Sequence, residues 1–234
     1  NLNYSLLQYM GKGNLIALYR RSEKKYIEAL YRDGEIYINH IRTIRYYDDN
    51  KERSDPWDGI SSRIYQKSAK IELTPEGENP EKSLTFDAVD VVLSEDHAEH
   101  GNIYCMSLIK PEHFTGSAVS HKFDTSSFGQ CIIIIKDPSE FIRRFESGLK
   151  ENGFENVFYK PVSYFPHDYS GPVGFFRKHE RFKSQNEFRF FVPNTTEEVI
   201  KFNIGSLENI AVISDNGLVI KGVHSNKCVE YIYI

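Results

Sequence analysis

The chain has 234 residues, of which 40% are apolar, 26% charged and 14% aromatic. That balance excludes a disordered or fibrous polypeptide, and no apolar run approaches the roughly 20 residues of a membrane-crossing helix. The net charge of −4 gives no general attraction to nucleic acid, so any such contact needs a local basic face. Length favours one domain over residues 1–234. With 16 Phe and 15 Tyr beside 2 Met and 1 Trp, aromatic rings supply much of the core. Cys105, Cys131 and Cys228 are odd in number, far apart and outside any C-x-x-C pair. This argues against a disulfide framework and a zinc site, and for a reducing, cytoplasmic setting. No charged-then-apolar leader opens the chain, so no signal peptide is expected.

Residues 14–19 (NLIALY) read as a strand. Ser22 stands where a helix N-cap belongs, Glu23 favours the positive end of the helix dipole, and Tyr26, Ile27, Leu30 and Tyr31 recur at helical spacing before Gly34 stops the helix. Residues 35–41 (EIYINHI) alternate and turn Ile36, Ile38 and Ile41 inward, which completes a β-α-β opening. Residues 48–59 are polar turn chemistry with Asp-Pro and Asp-Gly breakers, 64–73 read as a strand, and 74–82 as a surface loop. Residues 102–107 (NIYCMS) form a strand, and the four consecutive Ile within 129–136 suit a strand covered on both faces.

Asp137-Pro138-Ser139-Glu140 then starts a helix, with an Asp cap, Pro at the first helical position and Glu three residues after the cap. Phe141, Ile142, Phe145 and Leu149 face inward, and Gly153 ends it. Strand patterns follow at 156–165, 186–192, 199–204, 209–213, 218–223 and 228–234. The expected class is α+β: helices mostly in the first two-thirds, a mixed or antiparallel sheet towards the end, and neither an internal repeat nor a dividing linker.

The segment 175–192 (FFRKHERFKSQNEFRFFV) is the richest in chemistry. Glu187 opens an otherwise apolar strand, a common way to present one acid to a cleft. Around it Arg177, Lys178, Arg181, Lys183 and Arg189 outnumber Glu180 and Glu187, so a basic face is expected. The plain alternative is an edge strand carrying solubilising charge and a surface ion pair. At the other end of the chain, Tyr19-Arg20-Arg21-Ser22 ends a strand directly before a helix, a place that suits an anion.

Together these segments resemble the ADP-ribosyltransferase superfamily. The resemblance lies in a strand ending Leu18-Tyr19-Arg20, a short helix closed by Gly34, a second strand, the Ser-bearing Tyr104-Cys105-Met106-Ser107, and Gln185-Asn186-Glu187 as a Q-x-E arrangement before a strand. More closely, the chain is similar to an uncharacterised family of bacterial and phage proteins. The shared features are Asp33-Gly34-Glu35-Ile36-Tyr37, Asp55 to Gly59, Tyr104 to Ser107, Phe128-Gly129-Gln130, Gln185 to Phe190 and Ile204-Gly205-Ser206-Leu207.

The superfamily resemblance implies NAD as substrate, with its ADP-ribose passed to a macromolecular acceptor or to water. It implies a toxin or effector, with an antitoxin or immunity partner. Glu187 would stabilise the cationic ribose, Gln185 would touch the acceptor, and Arg20, or its neighbour Arg21, would hold the adenosine side. Ser107 would orient the nicotinamide ribose, and Tyr19 or Tyr104 would stack on a ring; no metal is implied. A transferase requires Arg20 and Glu187 to meet in one cleft, and opposite faces of the sheet would end that reading. The alternative is a non-enzymatic module using the basic aromatic face for protein or nucleic acid.

Three other constellations compete. Glu95 and Asp96-His97-Ala98-Glu99-His100 hold metal-ligand types without the His-Glu-x-x-His order, and read as an exposed loop. Asp48, Asp49, Glu52, Asp55 and Asp58 would suit a magnesium nuclease, but the breakers among them point to a solvated loop. A Cys–His pair from Cys105 or Cys131 with His113 or His121 lacks any sign of an activated thiol, and Thr125-Ser126-Ser127 lacks a nucleophile elbow.

Overall fold

The computed structural model describes residues 17–45, 54–77, 83–97, 99–110, 121–122, 128–215, 219–224 and 227–233. Strand β1 (Ala17–Ser22), helix α1 (Lys24–Asp33) and strand β2 (Glu35–His40) form the expected opening, and a single helical turn, α2 (Ile41–Arg45), follows. Next come β3 (Ile60–Leu73), β4 (Leu84–Asp96), β5 (Gly101–Ile109), the two-residue β6 (His121–Lys122) and the Ile strand β7 (Cys131–Ile135). Helix α3 (Pro138–Glu151) leads to short strands β8 (Phe158–Pro161), β9 (Ser163–Phe165), β10 (Gly171–Pro172) and β11 (Arg177–His179). A 3-10 turn (Glu180–Gln185) enters β12 (Glu187–Pro193), and β13 (Ile200–Asn203), β14 (Ala211–Ser214), β15 (Val219–His224) and β16 (Lys227–Tyr233) complete the chain.

The class is mixed α+β, and every strand pair is antiparallel except β11 with β9 and β16 with β6. The main sheet branches at β5. One edge of β5 pairs with β12, which continues to β8. The other edge is shared: β2 pairs at Asn102 and Ile103, and β1 pairs from Ser107 to Ile109. Beyond Tyr19, β1 leaves β5 and follows β7, so Tyr104, Cys105 and Met106 lie opposite a gap between β1 and β2.

Both long helices cover one face. Leu18, Met106, Phe188 and the Ile strand pack there against Ile27 and Leu30 of α1 and Phe141, Phe145 and Leu149 of α3. Rings dominate as the composition predicts, with Phe145 and Phe190 4.3 Å apart. The α3 start also matches its sequence signature: Asp137 accepts from the Glu140 backbone N–H at 3.0 Å, with Pro138 next to the cap. On the opposite face a smaller cluster joins Ile41, Ile103, Phe175 and Phe191. Beside it, the buried Arg63 guanidinium lies near the faces of Trp57, at 4.8 Å, and Phe165, at 5.5 Å.

Several expectations are corrected. Ser22 is not a cap: it pairs with Cys131 as the last residue of β1, so Glu23 takes the cap position without a side-chain bond. Asp55 and Asp58 are not on a solvated loop; each is only 1% exposed. The strand expected over 156–165 is broken at Val162, whose N–H turns to donate to the Glu187 carbonyl. Strand β4 was not foreseen at all. The expectations for 14–16, 48–53 and 78–82 fall outside the described residues. Gly34 closes α1 at φ +65, where a Cβ would also lie 2.2 Å from the Gly205 carbonyl oxygen, so glycine is required twice over.

His40 makes stability depend on pH. It is 1% exposed, its Nδ1 accepts from the Arg42 N–H, and its Nε2 has no partner among the described residues. Burial lowers its pKa most, Glu197 opposes this, and His100 and Arg42 add smaller downward contributions. The unfolded imidazole takes up a proton near pH ~6.5, whereas the folded one resists it until lower pH. Stability is therefore full above that value and falls as pH drops below it. Urea midpoints measured from pH 7.5 to 5 should decline, and His40→Gln should flatten part of the slope; an unchanged slope in that variant refutes the assignment.

Candidate functional site

At the branch of the sheet lies one cavity of about 220 Å³, bordered by Tyr19, Arg20, Tyr104, Ser107, Gln185 and Glu187. All six residues singled out from the sequence thus border one space. Registration explains part of the convergence. Ser107 faces Tyr19 across one ladder and Glu187 across the other, so the three side chains form one rung over β1, β5 and β12 on the face away from the helices. Gln185 ends the 3-10 turn that delivers β12, and Asn186 at φ 42 makes the sharp entry.

The two arginines are separated by the strand period. Arg20 leaves β1 on the helix side, where its guanidinium lies 4.3 Å from the Tyr104 ring centroid and donates to the Cys105 carbonyl at 2.8 Å. It reaches the cavity only because β5 is unpaired in the gap. The expectation that Arg20 shares a face with Glu187 is therefore corrected: alternation sends them to opposite faces. Arg21 is the arginine on the Glu187 face. It donates from Nη1 to the Gly129 carbonyl at 3.1 Å, and its buried Nε has no partner among the described residues.

Glu187 is 5% exposed, and each of its oxygens meets a cation. Its Oε1 accepts from Arg189 Nε at 2.6 Å and its Oε2 from Lys178 Nζ at 3.2 Å, while Lys178 also donates to Gln185 Oε1 at 3.1 Å. Arg189, with no exposed surface, closes a bidentate pair on Asp58 at 2.6 and 2.9 Å and donates to the Phe175 carbonyl. Two carboxylates thus balance two cations out of water. Burial alone would raise the Glu187 pKa, but Arg189 and Lys178 outweigh it and hold the carboxyl well below the usual range. Burial opposes the charged form of Lys178 too, and Glu187 and Asp58 reverse that and raise its pKa.

The Cys105 thiol hydrogen-bonds Glu187, and burial followed by that carboxylate pushes its pKa up, so it is no nucleophile. Asp55 is raised as well, by burial and then by Asp58. These facts replace two sequence expectations. Strand β12 is an interior strand, not an edge, and its charges make no surface pair. Nor is 177–189 a basic face: Lys178 and Arg189 are buried in ion pairs, leaving Arg181 and Lys183 exposed.

Sequence reasoning missed Lys178, Arg189 and Asp58 as a set. A signal for Arg189 existed, since a strand apolar at Phe188, Phe190 and Phe191 places Glu187 and Arg189 on one face. Among the described residues, no three His, Cys, Asp or Glu side chains gather as a metal site requires, and no helix is long and apolar enough to cross a membrane. Asp48, Asp49, Glu52, His113 and residues 125–127 lie outside the described residues, as do the side chains of His121 and Cys228. No family model, curated protein or solved structure matches this chain, so what the cavity does must follow from its own residues.

Proposed function

We propose that, with the Arg20–Glu187 pairing ended by their opposite faces, the chain is an ADP-ribosyltransferase-like enzyme in which Arg21, on the Glu187 face, stands in place of Arg20, and which binds the nicotinamide–ribose half of NAD in this cavity and cleaves the bond between them. The observation that carries this reading is the Tyr19–Ser107–Glu187 rung, with Gln185 and Arg21 bordering the same space. A cavity of about 220 Å³ is smaller than the roughly 300–1,000 Å³ of ordinary ligand pockets. It suits one ring and one sugar, with the adenosine half outside, towards Arg20 and Arg21.

When the glycosidic bond breaks, its electron pair leaves with nicotinamide and positive charge develops on the ribose. Glu187 is ionised throughout, and a carboxylate has about four lone-pair positions, of which Arg189, Lys178 and Cys105 use three. The remaining position accepts a ribose hydroxyl and brings the negative charge to the cation. Ser107 offers a second hydroxyl contact. Gln185, held by Lys178, borders the side from which water or an acceptor attacks, losing its proton to solvent.

The charge balance around Glu187 favours a second reading. With Lys178 and Arg189 neutralising it and Asp58, the cavity serves equally as a binding site without turnover. One experiment separates the two. The pure protein is incubated with NAD, with and without bacterial lysate, while nicotinamide release and labelled macromolecule are followed. Release above the blank supports catalysis, and NAD binding by calorimetry without release supports a cavity that binds without turnover. Neither binding nor release rejects both.

A further inference from the structure

We propose that the β3–β4 ribbon is a self-association surface through which two copies of this chain dimerise face to face. The ribbon is 14 residues of β3 paired along their length with 13 of β4. It touches the body only near its base, where β10 pairs with Ser62 and Arg63 and the Tyr65 ring meets His167 at 5.4 Å. No other described strand or helix makes more than a marginal contact with it. An isolated two-stranded ribbon is marginal in water. Yet six of the ten large apolar side chains exposed among the described residues are on this one, including Leu73, Leu84 and Phe86.

Alternation sorts the two faces. One carries the rungs Ala69–Ala88, Ile71–Phe86 and Leu73–Leu84, all apolar. Nearer the base, Lys67 and Asp90 stand level with each other between the Gln66–Val91 and Ser68–Val89 pairs, with Asp90 at φ 53 and its carboxylate accepting from the Tyr65 hydroxyl on the same face. Charge selects both the partner and the mode. A two-fold that lays β3 of one copy over β4 of the next sets each Lys67 against an Asp90 and opposes no like charges. Symmetric edge-to-edge pairing is disfavoured, because β4 carries Asp87, Asp90, Glu95 and Asp96 and no base, so two β4 edges repel. Two β3 edges likewise bring Lys67 and Lys70 together.

The available area sets the strength. Ten residues at ~3.3 Å each and a width of ~10 Å give a face of roughly 330 Å² per copy. About 700 Å² in total is below the ~1,200–2,000 Å² of stable complexes, so the dimer is weak and concentration-dependent.

Sedimentation velocity on the full chain, from about 1 to about 200 µM, tests this. The expected result is a shift from monomer to dimer mass across that range. Phe86→Glu should weaken association at least tenfold, whereas Val89→Glu, on the opposite face of the same strand, should not. Lys67→Glu and Asp90→Lys should each weaken it, and the double exchange should restore it. A monomer throughout, a dimer insensitive to Phe86→Glu, equal loss with Val89→Glu, or no rescue by the exchange overturns the proposal. Because the ribbon is remote from the cavity rung, NAD cleavage serves as a folding control where it is present, and the thermal transition serves where it is not.

Discussion

Arg189→Met lowers the unfolding free energy by about 3–5 kcal/mol, the scale seen when one member of a buried ion pair is removed. The guanidinium has no exposed surface and holds both Asp58 oxygens, Glu187 Oε1 and the Phe175 carbonyl. Without it two buried carboxylates share Lys178 alone. The size of the side chain is nearly kept, so a cavity adds little. Adding Asp58→Leu removes one stranded charge and should recover part of the loss, which a double-mutant cycle in urea measures. A single Arg189→Met variant within about 0.5 kcal/mol of the parent would mean the network is solvated and the account of the site is wrong.

If the proposed NAD cleavage holds, Glu187→Gln is expected to slow it by roughly 10²–10³, the effect of losing one well-placed electrostatic group, with NAD affinity little changed. The same substitution also lowers stability, unlike a change on an exposed strand, because Lys178 and Arg189 lose a counter-charge they hold at 3.2 and 2.6 Å. Rates are therefore compared per folded molecule, with near-ultraviolet dichroism as the check. Gln185→Ala gives the contrasting pattern, in which labelling of an acceptor falls and slow hydrolysis to free ADP-ribose persists. A folded Glu187→Gln protein that consumes NAD at the parental rate removes the carboxylate from the chemistry.

The elements that sequence revealed are those whose signals are local. Asp137, Pro138 and Glu140 announce α3 within four residues, and the consecutive Ile of β7 can only be covered on both faces. Strand β4 escaped because Asp87, Asp90 and Ser94 look like loop residues, and only pairing with β3 makes them a strand. Ser22 misled because a cap and a strand end present the same residue type, and the pairing with Cys131 that decides between them lies far along the chain. The same limit hid Asp58, whose partner is 131 residues away. Convergence of Tyr19, Ser107 and Glu187 was legible from motif order, whereas the face on which Arg20 emerges depended on a register that no motif states.

The zero-sum set at the base of the cavity has a consequence for how this chain changes over generations. Its members come from three separate stretches: Asp58 in the turn before β3, Lys178 in β11, and Glu187 and Arg189 in β12. Replacing any one leaves a stray charge in the interior, so the step to a neutral alternative passes through a poorly folding intermediate. Drift at positions 58, 178, 187 and 189 is therefore correlated, and related chains should keep all four or exchange them as a group, even where the surrounding aromatic core has turned over freely.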